Sequence, residues 1–390
     1  MLSRITIIPF RNSNLNWPKA NQSFYINIKQ FTMSVCAGLP NTADNSCSSK
    51  TAPLDAHANG NLANKSNSDS VSRRDSSTCL DSLPINVAER NHKWGSIEDT
   101  YSRRSCSPPD SVFKRAFKFY KKRCPPPDLS NVIEFRATPL AKGVERAALK
   151  VVESVSSEAI RAVGLKPLSE WKLFTMIHRQ GLFVLSDIFE PSKHLEWIAR
   201  CLNVYPEAPN RNNVLLHISD ASKIFVNHAN KLRWATLGYH YDWATKVYPS
   251  SGDPLPEELV SVADLISHVL GIGPMQADAA IVNYYPPKSA LSPHIDRSER
   301  FLARPLISLS FGQSAVYLSG GTSLDDHVDA LFLHSGDVLV MHGDQRLVYH
   351  AVPCIQKTLN FEANAQFSEQ IVHYANNNRI NVTIRQVDRH

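Results

Sequence analysis

The chain has 390 residues, 43% hydrophobic and 20% charged, with a formal net charge of +6, enough for one large domain with extensions. No apolar run approaches the ~20 residues of a bilayer-spanning helix, so no membrane partner is expected, whereas the basic balance suits a polyanionic one. Cys36, Cys47, Cys79, Cys106, Cys124, Cys201 and Cys354 form no CxxC pair and no repeated spacing, which fits reduced thiols in an intracellular protein and argues against a disulfide or zinc scaffold.

Before Asp44 the chain carries Arg4, Arg11, Lys19 and Lys29 but no acidic residue. That bias resembles a mitochondrial presequence over residues 1–33. Pro9 and Pro18 interrupt any long amphipathic helix there, and a working start at Met33 is the competing reading. A mitochondrial location is therefore expected, with the nucleus and cytoplasm as alternatives. Residues 34–110 are dominated by Ser, Asn, Asp and Ala and bury too little apolar surface to offset chain entropy, so this segment is expected to be disordered.

Order is expected from Asp110 or Ser111, either of which can cap a helix. Phe113, Ala116, Phe117 and Tyr120 share one helical face; Lys114, Arg115, Lys118, Lys121 and Lys122 cover the rest, and Pro125–Pro127 stop the helix. Its basic side reads as a solvated face that also touches nucleic-acid phosphates. A helical N-terminal extension is expected over 111–165 and the main domain over 166–389.

Gly181–Leu185 reads as a strand, and Ser192 as the cap of a helix through Leu195, Ile198, Ala199 and Leu202. A second helix begins at Pro256, carries Leu259, Val262, Ile266 and Leu270, and ends at Gly271. Strands then dominate: Ala279–Tyr285, Leu306–Phe311, Ala315–Leu318, Ala330–Leu333, Val338–Met341 and Ile380–Val387, with a polar stretch from Cys354 to Asn378. The fold expected is mainly β with helices, a double-stranded β-helix or jelly roll.

The last strand carries the first chemical signal. Period-two alternation puts Arg379, Asn381, Thr383 and Arg385 on one face and Ile380, Val382 and Ile384 on a core face. Two inward guanidinium groups need a dianion or fixed carboxylates, and a small dicarboxylate is a natural guest. A His-x-Asp pair occurs four times: His240/Asp242, His294/Asp296, His327/Asp329 and His342/Asp344. With His350, His294 and Asp296 make a two-His-one-carboxylate set, which leaves open coordination positions and suits non-haem Fe(II) oxygenases. This choice alone leaves a strand-forming stretch between its halves and the arginine strand after it, but spacing does not exclude the others.

Asn283-Tyr284-Tyr285, His294 through Glu299, Ser308 through Gly312, His334 through Asp337, Arg346 through Pro353 and Arg379 through Gln386 together resemble the AlkB family of Fe(II)/2-oxoglutarate dioxygenases. Leu232-Arg233-Trp234, Gly238 through Tyr241 and Phe113 through Tyr120 are similar to its AlkB homologue 1 branch. The likeness runs from about residue 111 to 389, with no recognised counterpart for 1–110. It selects His294, Asp296 and His350 as ligands of Fe(II), and it implies the jelly-roll fold with a nucleotide-recognition lid. It further implies 2-oxoglutarate paired at its distal carboxylate with Arg379, helped by Tyr285, Asn381 and Thr383, while Asn283 and Arg385 lie nearer the metal. O2 then turns the co-substrate into succinate and CO2 and a substrate carbon is hydroxylated; an N-methyl group so oxidised leaves as formaldehyde.

The resemblance also implies a substrate. Trp234, Tyr239, His240 and Tyr241, with Asp296, would receive a flipped base, since aromatic faces stack on any base. Arg233, Lys231 and Lys246 would meet phosphates. Ser298 stands where bacterial AlkB-type repair enzymes carry an acid, which argues against direct-repair specificity and towards methylated bases in tRNA, such as 1-methyladenine or methylated cytosine, with N6-methyladenine in DNA behind them. A monomer is expected, and a protein or histone demethylase or hydroxylase is the alternative on the same fold.

Overall fold

A computed structural model describes residues 110–150 and 155–389. The readings of a presequence over 1–33 and of a polar segment over 34–110 therefore lie outside the described residues, Asp110 excepted. In chain order the described part runs α1 (Val112–Lys121), β1 (Val144–Ala147), α2 (Ser157–Ala162), β2 (Lys172–Met176), β3 (Leu182–Ser186), α3 (His194–Asn203), β4 (Arg211–Asn212), α4 (Ile224–His228), β5 (Trp234–Gly238) and α5 (Glu257–Val269). There follow β6 (Ala279–Tyr285), β7 (Leu291–His294), β8 (Leu306–Gly312), β9 (Ser314–Ser319), β10 (Asp329–Leu333), β11 (Val338–Met341), β12 (His350–Gln356), α6 (Glu369–Asn377) and β13 (Arg379–Arg385).

The strands form a nine-stranded sheet, β1-β2-β3-β11-β8-β13-β6-β5-β4, and a four-stranded one, β10-β9-β12-β7. Every strand pair in both is antiparallel. Side-chain alternation then decides the layers. One face of the large sheet (Phe174, Val184, Leu339, Met341) packs with Tyr317, Leu331, Leu333 and Val352 of the small sheet. Its other face (Val282, Leu309, Val340, Ile380, Val382, Ile384) is covered by Trp197, Ile198, Leu259, Ile266 and Ile371 from α3, α5 and α6. The architecture is mainly antiparallel β with helices, consistent with the double-stranded β-helix. No helix among the described residues is long and apolar enough to cross a membrane.

Where the chain passes from one sheet to the other, between β8 and β9, Gly312 adopts φ +78° and an added Cβ would collide with the Asn378 carbonyl oxygen. The neighbouring Gln313 is buried and ties this corner down, donating to Ala375 O at 2.8 Å and accepting from Thr358 N at 2.9 Å.

The helix α1 lies on the outer face of the small sheet. Ser111 caps it by accepting from Lys114 N at 3.3 Å. Phe113, Phe117 and Tyr120 pack on Val316, Leu318 and Ala351, and burying each phenylalanine contributes about 1.5–3 kcal/mol. Three expectations need correction. Residues 111–165 are not simply helical, because Val144–Ala147 adds edge strand β1 to the large sheet. Ser192 sits inside a short 3-10 turn, Pro191–Lys193, so α3 starts at His194 with Lys193 rather than Ser192 at its cap position. The polar stretch after Cys354 contains α6, capped by Ser368 and buried through Ile371, Val372, Tyr374 and Ala375.

Candidate active site

Strands β7 and β12 pair so that His294 and His350 stand directly opposite each other, with ring centroids 4.2 Å apart. Asp296 follows the end of β7. His294 Nε2 lies 3.9 Å from its Oδ1 and His350 Nε2 lies 3.8 Å from its Oδ2. Each imidazole donates from Nδ1 to a main-chain carbonyl, Ser292 O at 2.8 Å and Val348 O at 3.2 Å. A carbonyl can only accept, so each Nδ1 carries the proton and both Nε2 lone pairs face the carboxylate.

The charges suit a cation. Burial, with His294 nearby, pushes His350 down to about 4, which keeps it neutral at pH 7. Burial alone would raise the Asp296 carboxyl, but Arg385, His350 and His294 outweigh it and hold it below the usual carboxylate range. Two imidazoles and one carboxylate brought together in this way form a facial set with open positions.

A chain of buried ion pairs stands behind Asp296. Arg385 reaches Asp296 Oδ2 at 2.9 Å and Glu299 Oε1 at 2.7 Å. Glu299 Oε2 in turn accepts from Arg346 at 2.9 Å, and Arg346 donates to the Asp296 carbonyl at 2.9 Å. Arg385 is therefore bound through both terminal nitrogens to acids of the protein itself, while its Nε has no partner.

Arg379 is the opposite case. Its side chain is 1% exposed and donates only to Leu333 O at 3.2 Å and Ser310 Oγ at 2.9 Å. Nε has no partner, and no carboxylate among the described residues pairs with it. Burial pulls this guanidinium down to about 10, opposed in part by Tyr285 and Asp337. A buried cation short of an anion is the feature a small dicarboxylate would satisfy. Tyr285 is its register partner on β6. Asn381 and Thr383, by contrast, are already engaged: Asn381 donates to Ser308 Oγ at 2.7 Å and Leu309 O at 3.0 Å and accepts from Thr383 at 3.0 Å. They build the wall between the two arginines and have little capacity left for a ligand.

His294 and Asp296 open into a cavity of about 900 Å³ whose lining also includes Asn283, Tyr241, Trp243 and Lys246. Tyr241, Trp243 and Trp234 form a connected aromatic group, with centroids 4.9 Å apart for Tyr241–Trp243 and 5.1 Å for Trp234–Trp243. Trp243 is 45% exposed. Only a lone tryptophan two residues beyond Tyr241 marked it in the sequence. Three of the expected base-contacting residues do not line the cavity, and Trp234 reaches it only through its contact with Trp243. His240 is buried between Thr236 Oγ1 at 3.0 Å and Asp253 at 2.8 Å, and Tyr239 packs away from the cavity with Arg300 over its ring. Among the expected phosphate contacts only Lys246 lines the cavity, while Arg233 turns back to Asn230 O and Leu232 O. On α1, Lys114 and Lys118 pair with Asp110, whose main-chain oxygen takes Arg115.

The other His-x-Asp pairs separate by geometry. Asp242 caps its own turn, accepting from Ala244 N at 2.8 Å. His327 and Asp329 do converge, with His178 as a third partner. For His342 and Asp344 no such cluster is found among the described residues.

The comparisons with known proteins agree with this chemistry. A family model described as the 2OG-Fe(II) oxygenase superfamily matches residues 181–385. The chain is similar to the human nucleic acid dioxygenase ALKBH1, with 35% identity over 273 residues covering 63% of this chain and 70% of that protein. It is similar to the tRNA demethylase abh1 of Schizosaccharomyces pombe, 42% identical over 162 residues covering 40% of this chain and 53% of that one. The DNA N(6)-methyladenine demethylase ALKBH1A of Arabidopsis thaliana is 26% identical over 339 residues, covering 71% of this chain and 91% of its own.

Proposed function

Because the chain belongs to the AlkB family of 2OG-Fe(II) oxygenases, we propose that it oxidises methylated bases in nucleic acid, structured RNA such as tRNA before DNA. The observation that carries this reading is the aromatic-rimmed cavity of about 900 Å³ into which His294 and Asp296 open. It has the size of a small-molecule site and a rim on which a flipped base can stack.

In this reading His294, Asp296 and His350 hold Fe(II), and Arg379 beside Tyr285 takes the distal carboxylate of 2-oxoglutarate. Fe(II) and 2-oxoglutarate, bound there with O2, would supply the oxidising power to hydroxylate a substrate carbon, with succinate and CO2 as co-products. The protein's own side chains do the positioning. Arg385, fixed by Glu299, holds Asp296 Oδ2 so that the carboxylate keeps its charge and its orientation. Asn283, on the same strand face as Tyr285, borders the metal side of the cavity. Tyr241 and Trp243 sandwich or flank the base, and Lys246 meets its phosphate. Ser298, whose hydroxyl lies 3.4 Å from Tyr241 OH, offers the base a neutral neighbour in place of an acid.

Formaldehyde and succinate release on three substrates tests this: tRNA carrying 1-methyladenine, single-stranded DNA carrying N6-methyladenine, and a methylated histone peptide. Turnover should rank in that order, with nucleic-acid binding weakening steeply as salt rises. Higher turnover on the peptide would replace this reading with a protein demethylase. Higher turnover on DNA than on tRNA would reverse the order within nucleic acid.

A further inference from the structure

The expected Fe(II) set is not alone in bringing two histidines and an aspartate together. His178, His327 and Asp329 place one ligand atom each within 4.8 Å of one another, on the outer edge where the β2–β3 turn meets the turn before β10. The Nε2 atoms of both histidines converge on one carboxylate, His178 at 2.9 Å from Oδ2 and His327 at 3.1 Å from Oδ1.

We propose that His178, His327 and Asp329 form a second divalent-metal site, of zinc type, separate from the oxygenase centre. The donor set of two imidazoles and a carboxylate suits Zn²⁺, which binds such ligands at about 2.0–2.2 Å with tetrahedral geometry. Edges of about 3.3 Å follow from those bond lengths, close to the 2.9 and 3.1 Å of the two histidine–carboxylate separations. His178 and His327 are 45% and 74% exposed while Asp329 is 8% exposed. The carboxylate is thus anchored in the protein, while the two histidines stand at the surface.

The anchoring is built in. Arg179, itself buried, donates from Nε to Asp329 Oδ2 at 2.8 Å, from Nη2 to Ser319 O at 3.0 Å and His327 O at 2.8 Å, and from Nη1 to Gly320 O. It therefore orients the carboxylate and the backbone that carries His327 at once, as outer partners of metal ligands do. The guanidinium also weakens the site relative to a bare carboxylate and leaves Oδ1 as the better ligand oxygen.

The site's place in the fold gives it a consequence. The turn that carries His327 is the seat of α1: Phe113 N donates to Leu324 O at 2.9 Å and Val112 N to Asp325 Oδ1 at 3.1 Å. Zinc bound here would staple the β2–β3 turn to the seat of the basic helix and stabilise that edge.

Zinc retained per chain after loading the iron-free protein and desalting decides the matter. Two equivalents are expected for the unaltered chain, one for H178A/H327A and one for D296A. In the D296A background zinc should raise the urea midpoint, and adding H178A/H327A should abolish that rise. One equivalent in the unaltered chain, or two retained by H178A/H327A, overturns the proposal. Both histidines are exposed, so their removal leaves folding intact, and a native-like urea transition without metal checks this.

Discussion

Replacing Arg379 by Met should move stability and co-substrate affinity in opposite directions. The guanidinium is buried, lacks a carboxylate partner and is pulled down by that burial to about 10. At about 1.4 kcal/mol per pKa unit, that depression corresponds to a penalty of roughly 3 kcal/mol on the ligand-free fold. The sign is that of a base whose folded value lies below its unfolded one. The penalty is present in full at neutral pH and is relieved only as pH rises through about 10. Methionine removes it but leaves Leu333 O and Ser310 Oγ without their donor, at about 1 kcal/mol each. The ligand-free variant should therefore gain about 1 kcal/mol, measured as a higher urea midpoint. Binding should suffer instead. Losing one partner of a buried, hydrogen-bonded charge pair costs about 2–5 kcal/mol, so the Kd for 2-oxoglutarate should rise about thirtyfold or more. Anaerobic titration of the Fe(II)-loaded protein reads this directly. A variant that is destabilised by more than ~1 kcal/mol and binds 2-oxoglutarate as before would refute the reasoning.

Asp296→Ala should abolish iron retention and turnover while the protein stays folded, whereas Asp242→Ala, which only uncaps a turn, should keep its iron by elemental analysis. Glu299→Gln removes the acid shared by Arg346 and Arg385; breaking buried pairs of this kind costs about 3–5 kcal/mol, and an unchanged urea midpoint would show that the network contributes little. Trp243→Ala should lower kcat/KM on a methylated base by the equivalent of about 1–3 kcal/mol of stacking. Tyr239→Ala, away from the cavity, should change it far less, and equal losses for both would remove the role given to Trp243.

The strands flanking the site were legible because both their faces are buried and alternation has to match the layers on either side. Ala279–Tyr285 and Val338–Met341 fall where the apolar pattern puts them, and Ile380, Val382 and Ile384 do face the helical layer. Elements that lacked such a pattern were hidden. β7 is four residues long and only partly buried, and β12 contains Pro353 and shifts its register. In α6 the buried residues are Ile371, Val372, Tyr374 and Ala375, set in a polar sequence. The lid was misread for a different reason. Aromatic residues near a site attract a binding role, but His240 and Asp253 satisfy each other across a turn of the chain, and only the fold reveals such a partner.

Arg379 and Arg385 show most sharply what period-two reasoning can and cannot give. Alternation correctly puts both on one face of β13, and from there their surroundings diverge. At the Arg385 end the irregular stretch after β7 brings in Asp296 and Glu299, so this guanidinium meets two carboxylates. At the other end Arg379 meets a hydroxyl and a carbonyl, with Tyr285 opposite it on β6. One strand thus carries a cation paired with two carboxylates beside the expected metal ligand and one without a carboxylate several residues away. The paired arginine holds the Asp296 carboxylate in its ionised form. The other keeps an energetic deficit that only an incoming anion can relieve. A dicarboxylate chelating a metal at the first end and pairing with Arg379 at the second would answer both conditions, and no monoanion could do so. The polarity of the pocket is therefore set by which acids the fold supplies and which it withholds.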